Sequence, residues 1–121
     1  MKKVLLALAL IIGTSSFADA GELDGKAVFC SDTNTGLVFS LGRVTNYHVK
    51  GYAITNGEWE DYYLDGTTHV KWSDGTFGGL TVLDRETLKS SLYGQCVISS
   101  KQKVMEKLND LIANAKKKNK I

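Results

Sequence analysis

Hydrophobic and polar residues change rhythm twice along this chain. Residues 4–12 form an unbroken apolar run behind Lys2 and Lys3. From Gly25 to Ile98, short apolar–polar alternations are cut by Gly- and Asx-containing pairs: Asp24-Gly25, Asn34-Thr35-Gly36, Asn56-Gly57, Asp65-Gly66, Asp74-Gly75 and Gly78-Gly79. Gly and Asn tolerate positive φ and so mark tight turns, and the Val, Tyr, Thr, Leu and Phe between them suit a pleated surface. The pattern predicts strands near 26–31, 36–41, 45–50, 52–55, 61–64, 68–73, 80–85, 90–93 and 95–99, in an antiparallel meander. Leu37, Phe39 and Leu41 should share one face, as should Val70 and Trp72. The outer strands, Ala27-Val28-Phe29-Cys30 and Cys96-Val97-Ile98, are apolar on both faces, which predicts a cover on each side.

After Ser99 the period lengthens to three and four. Val104, Met105, Leu108, Leu111, Ile112 and Ala115 fall on one stripe, with Lys103, Glu106, Lys107, Asp110 and Asn114 opposite, so residues 99–118 read as an amphipathic helix. Ser99 or Ser100 can cap it, and Ser99-x-x-Gln102 matches a capping box. The stripe suits packing on the sheet, since each buried aliphatic contributes roughly 1.5–3 kcal/mol; a membrane or partner helix is the other reading. The fold class expected is α+β: an antiparallel meander, as a curved sheet or incomplete barrel, with one C-terminal helix packed on it.

The leading run has the length of a signal-peptide core and is too short for a bilayer, which needs about 20 residues. Ala18-Asp19-Ala20 supplies the small-residue cleavage pattern, so residues 1–20 read as a signal peptide and 21–121 as one small domain. Periplasmic or secreted residence is the expected address. There Cys30 and Cys96 are expected to form a disulfide, closing a loop of about 65 residues worth roughly 4 kcal/mol. A redox-active or metal-binding pair is the rival reading. Charge adds little: removing Lys2, Lys3 and Asp19 from 15 basic and 13 acidic residues leaves 13 against 12. No nucleic-acid partner, transmembrane segment or cofactor is expected. The basic tail, Lys116-Lys117-Lys118-Asn119-Lys120, suits a helix C-terminus or an anionic surface.

Candidate chemistry is sparse. His48 and His69 are the only histidines and have no carboxylate or Cys at a metal-ligand spacing, whereas zinc needs three or four ligands. Glu58 and Glu60 flank Trp59, a pairing that could serve a glycosidase but also fits an acidic hairpin tip. Tyr62 and Tyr63 must point to opposite faces, so one is exposed; exposed aromatics such as Trp59 can anchor an interface or stack on a sugar. Within Leu83-Asp84-Arg85-Glu86-Thr87-Leu88, Asp84 can close an Asx-turn. Arg85 can brace that turn against Asp84 or a carboxylate across the sheet, or act in recognition.

Cys30, Trp72, Leu83-Asp84-Arg85-Glu86-Thr87 and Cys96 together resemble a loose group of small exported bacterial proteins with one disulfide, a likeness that implies no activity. The stretch Ser73-Asp74-Gly75-Thr76-Phe77 is similar to the Ser-Gly-x-x-Tyr inhibitory loop of periplasmic C-type lysozyme inhibitors, with Asp74 at the place of its Gly and Phe77 at that of its Tyr. That second resemblance implies a disulfide-bridged β-barrel acting through Ser73, Asp74, Gly75 and Phe77. The expectation from sequence is a non-catalytic binding or interaction module whose partner is a protein or cell-envelope component, with Ser73, Asp74, Gly75, Phe77, Trp59 and Arg85 as its candidate binding residues. A lysozyme-inhibitor-like protein is the alternative.

Overall fold

Nine strands and one helix form among the residues that the computed structural model describes, 21–57, 60–73 and 79–121. The strands are β1 (Ala27–Cys30), β2 (Thr35–Ser40), β3 (Arg43–Lys50), β4 (Ala53–Asn56), β5 (Glu60–Asp65), β6 (His69–Ser73), β7 (Leu80–Asp84), β8 (Lys89–Ser90) and β9 (Gly94–Ser99). The helix, α1, spans Lys101–Lys118. All strand pairs are antiparallel, and the chain winds from each strand to the next until β9 pairs with β1. β3 serves two partners along one edge: Arg43 and Val44 face Asp61 and Glu60 of β5, while residues 47–50 face β4.

The sheet therefore closes into an eight-stranded barrel with β4 as an added strand, rather than stopping at a curved sheet or incomplete barrel. Closure depends on β1 meeting β9, and local periodicity carries no information about so distant a partner. Cys30 and Cys96 lie directly opposite each other on that pair and are joined by a disulfide. The bridge thus pins the seam whose formation joins segments 66 residues apart.

Eight strands leave an interior that side chains can fill. Val28, Leu37, Phe39, Val44, Tyr62, Val70, Trp72 and Leu83 fill it, together with the disulfide. Phe39 is central, meeting Tyr62 and Trp72 edge to face at 5.2 and 6.0 Å between ring centroids. A second core lies outside the wall, where Ala27, Phe29 and Val38 pack under Val104 and Leu108 of α1, flanked by Tyr47, Val49 and Ile54. The helix thus covers the outer face of β1 to β4. Period-two patterning explains both cores, because alternate residues of β1 and β2 face inward and outward.

Several local expectations are corrected. β9 is not covered on both faces: Val97 is 52% exposed on the outer wall, because α1 lies over β1 to β4, and Ile98, paired with Val28 at the barrel end, is 80% exposed. Leu41 does not share the face of Leu37 and Phe39. It sits 83% exposed with φ 55° in the two-residue Leu41-Gly42 turn between β2 and β3. Gly36 belongs to β2, as the 36–41 strand reading had it, and lies under the helix, with the turn before it at 31–34. β8 is two residues long rather than spanning 90–93, because the Ser90 hydroxyl accepts the Leu92 and Tyr93 amides and turns the chain. The helix is capped by Ser100, whose Oγ accepts the Lys103 N–H at 3.2 Å. Gln102 donates to Glu106 instead of completing a capping box with Ser99. No described helix is long and apolar enough to cross a membrane.

Candidate functional site

One end of the barrel is built from the turn that precedes β1, the β2–β3 turn, the β5–β6 turn, the β7–β8 turn and the end of β9. Three networks assemble it. The Leu23 N–H donates to the Tyr62 hydroxyl at 3.0 Å, and that hydroxyl donates to Asp24 at 2.8 Å. The Asp24 carboxylate also accepts the Gly42 N–H at 2.9 and 3.1 Å, tying the entry turn to the β2–β3 turn. Burial, then the hydrogen bond to Asp24, pushes the Tyr62 phenol up to about 12.

The second network centres on Arg85. Its Nη1 lies 3.0 Å from Glu22 Oε2 and donates to the Thr67 carbonyl at 3.4 Å, while its backbone N–H donates to the Thr68 carbonyl at 2.6 Å. Arg85 therefore joins the entry turn, the β5–β6 turn and the end of β7. The carboxylate it meets is neither Asp84 nor one across the sheet but Glu22, a residue with no periodic or motif signal around it.

Asp84 holds the third network. Its Oδ1 accepts the Glu86 and Thr87 amides at 2.8 and 3.1 Å, the expected Asx-turn. Those two amides hold its carboxyl below the usual carboxylate range. Thr87 Oγ1 accepts the Lys89 N–H at 3.3 Å, and Leu88 is carried through with φ 59°. The fold gives His69 a carboxylate that sequence spacing does not show: it faces Asp84 across β6 and β7, with Nε2 3.7 Å from Oδ2. Its Nδ1 shares a hydrogen bond with the adjacent Thr68 hydroxyl at 2.8 Å. This local chain stands on the strand surface, and His69 does not line the cavity. His48 Nε2 shares a hydrogen bond with Thr55 Oγ1 at 3.0 Å on the β3–β4 pair. Among the described residues no three His, Cys, Asp or Glu side chains cluster as a metal site would require.

Within the mouth lies a pocket of about 360 Å³ lined by Leu23, Val28, Phe39, Leu83, Leu88 and Ile98, with Lys26 and Arg85 as its basic members. Barrel mouths are common ligand sites, and such sites combine an apolar lining with a few placed polar groups. Of the expected binding residues that are described, Arg85 is here and Ser73 is not. Ser73 ends β6 opposite Leu80, at the other end of the β6–β7 pair from His69 and Asp84. Trp59, Asp74, Gly75 and Phe77 lie outside the described residues. Leu23, Lys26 and Ile98 were missed: Leu23 precedes any alternation, Lys26 reads only as the first residue of a strand, and Ile98 reads as buried because its place at the barrel end is not visible in the sequence. Comparison with protein-family models, curated proteins and solved structures finds no match for this chain.

Proposed function

We propose that this chain is an exported, non-catalytic binding protein of the cell envelope, with the apolar barrel mouth as its ligand site. The observation that carries the reading is the pocket of about 360 Å³, apolar in its lining and bordered by Lys26 and Arg85. A volume in this range suits a small molecule. Ile98, 80% exposed on its border, keeps an aliphatic side chain in water that a ligand would cover. Export is supported by the signal-peptide pattern of residues 1–20 and by the seam disulfide, a bond that persists in oxidising compartments.

The test is fluorescence of an uncharged apolar probe, N-phenyl-1-naphthylamine, titrated with the native protein. Saturable enhancement that Ile98→Asp weakens and Val97→Asp leaves intact is the expected result. No enhancement, or equal loss in both variants, would remove the mouth as the site. Amino-terminal sequencing of protein from the periplasm or medium should begin near Gly21; an intact Met1 in the cytosol would overturn export.

A further inference from the structure

We infer that the ligand of the mouth is a linear fatty carboxylate, its chain in the pocket beside Leu23 and its head group on Arg85. This rests on the mouth being the ligand site. The entry turn already shows the chemistry in miniature: Glu22 places a carboxylate 3.0 Å from Arg85 Nη1, and the next residue, Leu23, buries an aliphatic side chain in the mouth. One acidic group and one aliphatic group, adjacent in a single chain, are thus what this end of the barrel accepts from its own sequence.

The guanidinium has capacity for more. Among the described residues both side-chain contacts of Arg85 are made by Nη1, to Glu22 and to the Thr67 carbonyl, while Nε and Nη2 have none. A planar fork with free donors is suited to a carboxylate, which it can hold through two parallel bonds. Arg85 is also held by its backbone N–H on the Thr68 carbonyl and by Nη1 on the Thr67 carbonyl, so little order has to be imposed on binding. Lys26 is a second cation lining the same pocket, and no described Asp or Glu lines it, so an ammonium head group would meet two cations and no carboxylate in the lining. Glu22 is partly exposed, so its carboxylate can leave Arg85 for water when a ligand carboxylate arrives, with Leu23 still in place.

Calorimetric titration of the purified protein with decanoate, decanol and decylamine at neutral pH tests this. Decanoate should bind roughly tenfold or more tightly than decanol, with the amine weakest. Arg85→Gln should erase the advantage of decanoate while decanol binding persists, and Arg85→Lys should keep part of it. Glu22→Gln should tighten decanoate several-fold and leave decanol unchanged. Equal affinity for decanoate and decanol in the unaltered protein would overturn the ligand class while leaving an apolar site standing. Binding of none of the three would overturn the site and the ligand class together. The series on the unaltered protein decides the matter even if an Arg85 variant does not fold.

Discussion

Gly36 of β2 lies directly beneath Val104 of α1: a β-carbon on Gly36 would stand 2.2 Å from Val104 Cγ1. Val104 is fully buried and β-branched, so it has little freedom to yield. Gly36→Ala should therefore destabilise the protein by about 1–3 kcal/mol, read from urea unfolding. Combining it with Val104→Ala should cost less than the two single changes added, because the smaller helix residue vacates the space the new methyl needs.

Alkaline stability should follow Tyr62. Its folded-state ionisation lies at about 12, against an ordinary value of about 10 in the unfolded chain. Because the folded pKa is raised, the unfolded state loses its proton first. Stability is fully present below pH 10 and falls between about pH 10 and 12, by roughly 2–3 kcal/mol. Tyr62→Phe should remove this part of the alkaline slope. At neutral pH it should cost about 1–3 kcal/mol by stranding the buried Leu23 N–H.

The seam disulfide should dominate covalent stabilisation. Reduction should lower the unfolding free energy by roughly 4 kcal/mol, less any strain released, with a matching drop in Tm. Cys30→Ser should cost the same as the double replacement of Cys30 and Cys96, since either removes one bond. Thiol titration of the native protein should find none free among the described cysteines.

Thr81 presents the opposite case, a residue whose replacement should help. It is 1% exposed in β7, and its Oγ1 has no hydrogen-bond partner among the described residues. Thr81→Val keeps the branched shape and removes the desolvated hydroxyl, so stability should rise by about 1 kcal/mol. A fall in Tm would show that the hydroxyl is satisfied in solution.

At the β2–β3 turn, Leu41 holds φ 55° while 83% exposed, a left-handed conformation that costs a leucine about 1–2 kcal/mol. Leu41→Asn should raise stability by about 1 kcal/mol in denaturant unfolding, because Asn adopts this region readily and no packing is lost.

Much of the architecture was legible in sequence because it is local. Alternation located each strand to within a few residues except β8, where a serine hydroxyl redirects the chain. The Asx-turn at Asp84 was readable for the same reason: the donors that satisfy it are two and three residues away. The three- and four-residue spacing of Val104, Leu108 and Ile112 likewise marked the buried stripe of α1. The candidate site was far less visible. Arg85 was singled out, yet its partner Glu22 is 63 residues distant and carries no pattern of its own.

What the amino-acid order determined alone is the set of elements, the buried stripe of α1 and two cysteines available to pair, because backbone propensity and side-chain period act over a few residues. Only the tertiary structure decided that β9 returns to β1, that α1 covers the wall instead of an end, and that Leu23, Arg85 and Ile98 meet around one cavity. Those outcomes depend on pairings across most of the chain. There, shape and the geometry of barrel closure select among partners that local chemistry leaves equivalent.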